Sequence, residues 1–150
     1  MSAPPDLTLT YHWVAPTIRP PYHHEYTIQI GPGLQGQVSY IPDYANHNPP
    51  RWVETFTASA AGLDALYALL LSNDAFRSAW KQQQPAPIGG EQTWLDITAG
   101  GQRASIPAGL AGRDAAAAQK IFEAVRAMVP QSIWDKLEAQ RQEYIKQQLK

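Results

Sequence analysis

Four histidines fall in the first third of the chain, His12, His23, His24 and His47, with Glu25 and Asp43 close by in sequence. Imidazole and carboxylate together form the ligand sets of zinc and iron sites. The spacings do not support one. There is no HExxH motif, and His23 and His24 are adjacent, so on a strand they point to opposite faces. A metal or small-molecule site would need His12, His24 or His47 to converge on Asp43 or Glu25 through the fold. Asp96, Glu54, Ser105 and Ser39 have the chemistry for acid–base or nucleophilic work. No G-x-S-x-G elbow or local Ser/His/Asp arrangement accompanies them. Asp96 is expected diagonally across a hairpin from Arg103, where a solvated ion pair accounts for both. The chain is therefore read as non-enzymatic, with no catalytic residue, metal ligand or cofactor assigned.

Gly31-Pro32-Gly33-Leu34-Gln35-Gly36 matches G-x-G-x-x-G in letters. That motif binds pyrophosphate by opening a helix, and the run that follows here, QVSYI, has a strand pattern. A hairpin loop explains these glycines. Recognition chemistry is better represented by Tyr40, Tyr44, His47, Trp52 and Phe56, which bracket the Pro/Asn-rich loop DYANHNPP. Tyrosine and tryptophan, with an apolar body and a polar tip, are favoured at interfaces. Phe56 is assigned to the core. Tyr44 and His47 on the loop, with Trp52 beside it, are candidate partner contacts.

The elements that position these residues follow from hydrophobic periodicity. Residues 1–21 hold Pro4, Pro5, Pro16, Pro20 and Pro21 and read as an extended arm, docked through Tyr11 and Trp13 on the domain itself or on a second subunit. Residues 22–150 form a single domain. Its first strand alternates Tyr26, Ile28 and Ile30 with polar residues, and its second places Val38 and Tyr40 on one face. Pairing Ile28 with Val38 and Tyr26 with Tyr40 requires a five-residue loop or a bulge near Gly36. Arg51–Thr57 is a third strand. Ser59 caps a helix carrying Leu63, Leu66 and Leu70, and Ser72-Asn73-Asp74 ends it, capping a short helical turn with Phe76 and Trp80. The hairpin QTWLDITAGGQRASI turns at Gly100-Gly101 and sets Leu95 against Ile106 and Ile97 against Ala104. A helix over 113–129 stops at Val129-Pro130. Ser132 to Asp135 looks like a capping box for a last helix reaching about Gln148. The expected fold is α+β, an antiparallel sheet of about five strands in the order β-β-β-α-β-β-α-α, with helices on one face.

Composition bounds the function further. The chain has 150 residues, a formal net charge of −1 and no cysteine. Near neutrality gives no global field for nucleic acid or an anionic membrane, and lack of cysteine removes disulfides, thiolate nucleophiles and Cys-type zinc sites. The longest apolar run, Ala65–Leu71, is far short of the ~20 residues that cross a bilayer. The N-terminus has no basic and apolar leader pattern. A soluble cytoplasmic protein with an unidentified protein partner, bound neither to nucleic acid nor to membrane, is expected. The arm and the last helix are candidate homodimer seams.

From Tyr26 to about Val129 the layout resembles small bacterial domains of the emfourin type. It shares a strand, a Gly-rich turn (Gly31 to Gly36), a second strand, and a helix with Leu63, Leu66 and Leu70 leading to Phe76. A Pro-containing loop (Pro85, Pro87), the TWLDITAGGQRASI hairpin and a helix complete it. The resemblance implies inhibition of a thermolysin-like metalloprotease as the alternative function. It directs attention to the Gly31–Gly36 loop, although no functional residue of the family carries over. Leu34 and Gln35 of this loop are also candidate partner contacts. The family would have a Gly-Gly-Phe-Ala-Gly-like run where Gly33-Leu34-Gln35-Gly36 stands. The Arg51–Thr57 strand, the arm and the final helix lie outside the pattern.

Overall fold

Thr8–Val14 (β1) sits in the middle of the sheet, although it comes from the segment expected as an arm. Its five prolines flank these seven residues and none falls within them, so every ladder donor is kept. Leu9, Tyr11 and Trp13 alternate with Thr8, Thr10 and His12, the pattern of a strand with one buried face. The computed structural model describes residues 2–77 and 79–150. The helical turn expected across Phe76 and Trp80 spans Ser78, which lies outside the described residues.

The remaining strands are Glu25–Ile30 (β2), Gln35–Ile41 (β3), Trp52–Thr57 (β4), Gln92–Ala99 (β5) and Gln102–Ile106 (β6). All pairings are antiparallel, in the order β4-β3-β2-β1-β5-β6. The fold is α+β as expected, with six strands rather than five. Ile28 pairs with Val38 and Tyr26 with Tyr40, while Ile30 reaches Gly36 across a turn closed by the Gly31 N–H on the Gln35 carbonyl (2.8 Å). A 3-10 turn at Pro32–Leu34 leads straight into β3, so the glycine motif opens a strand and no helix. At the other hairpin Leu95 meets Ile106 and Ile97 meets Ala104. Gly100 and Gly101 both take positive φ, 60° and 74°, the geometry of a tight primed turn. Asp96 accepts from Ser105 directly opposite (2.7 Å), so its partner is this hydroxyl and not Arg103.

Ala60–Ser72 (α1), Gly112–Ala127 (α2) and Gln131–Gln148 (α3) cover the face bearing Tyr11, Ile28, Val38 and Leu95. Ser59 caps α1, its hydroxyl accepting from the Gly62 N–H at 3.1 Å. The predicted capping box on α3 does not form. Pro130 precedes the helix, Ser132 lies inside it, and Gln131 donates to Asp135 (3.0 Å). Pro130 takes the N-cap place and Ser132 falls at the second helical position, where the amide three residues on is already bonded within the helix.

Two devices finish the β4 edge. Glu54 points to the helix-covered side and pairs with Lys136 of α3 at 2.7 Å, an inward charge that discourages pairing with another chain. Gly36 lies opposite Phe56, whose ring covers it so closely that a Cβ there would stand 2.4 Å from ring carbon. The opposite sheet face carries no helix and displays Thr10, Thr27, Gln29, Gln37 and Thr55, a polar surface typical of a solvated antiparallel sheet.

Candidate binding groove

The register places Trp13, Tyr26, Tyr40 and Trp52 side by side on four neighbouring strands. Their rings form one row, with centroids 5.2, 6.3 and 5.7 Å apart and neighbouring planes within 19°. His24 joins it, 4.9 Å from Trp13 and 5.7 Å from Tyr40. The row lies on the helix side, at the end of the sheet away from the Gly31–Leu34 turn. α3 crosses above it and sets Trp134 edge-on to Tyr26 at 4.9 Å. Between α3 and the row a groove of about 400 Å³ remains, lined by His24, Tyr26, Tyr40, Arg126, Trp134 and Glu138 among others. That volume lies in the ~300–1,000 Å³ range of small-ligand sites.

Arg126 enters from the last turn of α2. Its guanidinium donates to the Tyr11 hydroxyl at 3.3 Å, and its backbone carbonyl faces the Trp134 indole N–H at 3.4 Å. Among the described residues it makes no ion pair. The acids lining the groove are engaged elsewhere, Glu138 with Arg141 and Gln142, and Asp135 with Gln131. Burial pushes the Tyr26 and Tyr40 hydroxyls well above the ordinary phenol range, so both stay neutral and leave the Arg126 charge uncompensated. Burial, with Arg141 nearby, pushes the His24 imidazole below its ordinary value. The groove thus offers aromatic faces, a neutral imidazole and one underused cationic fork.

The five candidate contacts do not come together. Trp52 ends the aromatic row. Tyr44 stacks on His23 at 3.9 Å and exchanges hydrogen bonds with Ile18, so it ties down the β1–β2 connection. His47 is exposed and 3.8 Å from Asp43. Gln35 opens β3 at its far end, about 17 Å from Tyr40 at the usual rise per strand residue, and Leu34 lies in the turn before it. Sequence reasoning missed Trp13, His24, Arg126 and Trp134 as parts of one site. Pairing Tyr26 with Tyr40 was the available signal, and extending the row one strand further would have reached Trp13.

The histidines disperse. His12 stacks on Trp94 at 4.8 Å on the open sheet face, and His23 bonds Glu25 at 2.7 Å. No group of three or more acidic or imidazole side chains converges among the described residues. Asp43 is buried instead as a structural acceptor, taking the Tyr44 N–H at 2.7 Å and the Tyr144 hydroxyl at 3.0 Å. No helix among the described residues is long and apolar enough to cross a membrane. Compared with known proteins, the chain matches no family model and no curated protein.

Proposed function

We propose that this chain is a non-enzymatic interaction domain that recognises a segment of a partner protein in the groove between the aromatic row and α3. The observation that carries the reading is the composition of that groove. Tyr26, Tyr40, Trp134 and Arg126 are the residue types that dominate binding energy at interfaces, and they meet in one concavity. The open sheet face, by contrast, is threonine- and glutamine-rich, and its own concavity beside Gln29, Gln37 and Thr55 is lined by no tyrosine, tryptophan or arginine. Two matched variants separate the surfaces. Gln131→Trp crowds the groove mouth from an exposed position on α3, and Thr55→Trp adds the same bulk to the open face. A partner captured by wild type and by Thr55→Trp but lost by Gln131→Trp supports the groove. The reverse pattern removes it.

The inhibitor reading has one observation on its side. Leu34 holds a left-handed conformation (φ 66°) in a loop closed on itself, the kind of backbone strain that accumulates at ligand clamps. Stoichiometric inhibition of thermolysin, abolished by Leu34→Gly, is its test.

A further inference from the structure

We infer that the groove takes an aromatic ring joined to a carboxylate, the chemistry shared by a peptide C-terminus ending in an aromatic residue and by a free aromatic acid. This rests on the groove being the binding surface. Three observations define the occupant.

First, the Arg126 fork has only neutral partners in reach. The Tyr11 hydroxyl accepts at 3.3 Å, and the groove acids are turned to Arg141, Gln142 and Gln131. A planar guanidinium with spare N–H groups is matched best by a carboxylate, which it binds with two parallel hydrogen bonds. Second, the surfaces around it are ring faces and edges. Tyr26 and Tyr40 are within 4° of parallel, stacked side by side, and Trp134 meets Tyr26 at 64°. A planar aromatic guest can continue such an arrangement with offset or edge contacts. Third, about 400 Å³ is near the lower end of ligand-site volumes, fitting one or two rings and not a long folded segment.

The acids at the rim add selectivity. Glu138 and Asp135 lie beside the groove, so a guest carrying a second carboxylate on its outer side would meet like charge. One carboxylate, set next to the ring, satisfies both conditions.

The experiment uses the whole chain, with the indole N–H of Trp134 and the guanidinium of Arg126 followed by NMR. The probes are N-acetyltryptophan, its carboxamide, acetate, and the peptide Gly-Ser-Gly-Trp with a free C-terminus. N-acetyltryptophan should shift both reporters saturably, and the carboxamide should bind at least about tenfold more weakly, one charge-assisted contact's worth. In Arg126→Met that preference should vanish while ring binding persists. Arg126→Lys keeps the charge without the fork and should restore only part of it. Tighter binding of the peptide than of N-acetyltryptophan identifies a chain terminus as the natural guest, in keeping with a partner segment, and equal binding identifies a free acid and replaces the partner segment as the groove's occupant. Equal affinity for acid and carboxamide in wild type overturns the inference, as does saturable binding that leaves both reporters unmoved. If probes fail while Gln131→Trp still abolishes partner capture, the ligand chemistry is wrong and the groove stands. If Gln131→Trp changes neither, both fall.

Discussion

Gly36→Ala tests whether the β3–β4 edge is built as described. A Cβ at this position would lie 2.4, 2.5 and 2.7 Å from three ring carbons of Phe56, where carbon contacts are normally about 3.5–4.0 Å apart. The ring must retreat by roughly 1 Å. Inward it meets the core against which Phe56 is packed, and outward it uncovers apolar surface at the sheet edge. Overpacking of this kind costs about 1–3 kcal/mol. Against it stands the gain from replacing glycine inside a strand, about 0.5–1 kcal/mol. The backbone at Gly36 is outside the left-handed region, so alanine itself brings no strain. The net loss should be about 0–2.5 kcal/mol, a fall in Tm of up to several degrees for a chain of this length. Phe56→Ala removes the obstacle, and in that background Gly36→Ala should stabilise. Urea denaturation of the four proteins gives the coupling directly, expected at about 1–3 kcal/mol. Strict additivity, with the alanine equally costly whether or not Phe56 is present, would refute the account.

Tyr144→Phe removes one of the donors to the buried Asp43 carboxylate and should cost about 1–3 kcal/mol by urea denaturation, with a smaller loss in Asp43→Asn. The same hydroxyl, pushed up to about 12 by burial and by Asp43, should titrate later than ordinary tyrosines in ultraviolet absorbance, and Asp43→Asn should bring it down. Burial holds His12 and His24 below their ordinary value of 6.5, so the unfolded chain binds more protons than the folded one as pH falls below that value. Stability should therefore be fully present above about pH 6.5 and decline toward pH 5, and His24→Gln should flatten the fall in urea midpoint. Asp6 accepts from the Gly100 and Gly101 amides (2.6 and 2.9 Å), bonds that draw its carboxyl below the usual range. Asp6→Asn should speed hydrogen exchange at those two amides while leaving the Tm unchanged.

Local pattern made much of the fold legible. Alternation at Tyr26–Ile30 and Val38–Tyr40 gave the β2–β3 register because one face had to be buried, and Gly100-Gly101 gave the second hairpin through its turn chemistry. The N-terminal strand was obscured by proline density around it, although Leu9, Tyr11 and Trp13 already alternated. The aromatic site was legible only in part. Tyr40 and Trp52 stood out by type, but Trp134 and Arg126 join them through a helix crossing, which no local spacing encodes. Tyr44 drew attention as a loop aromatic, yet its hydroxyl is used by Ile18, a long-range pairing invisible in the chain.

The place of β1 has a consequence for the order of synthesis. Leu9 meets Ile30 as soon as the first hairpins are made, but its other neighbour, Ile97, leaves the ribosome much later. At about 5–20 residues per second the nascent sheet waits roughly 3–14 s with its future centre as an open edge. Throughout that interval Leu9 and Tyr11 lack both the strand beside them and the helix that roofs Tyr11 through Phe122. The newborn half-sheet is thus the state in which this chain is most open to edge-to-edge pairing with another. Refolding from denaturant must make the same non-local closure of β5 onto β1, the kind of pairing that folds slowly.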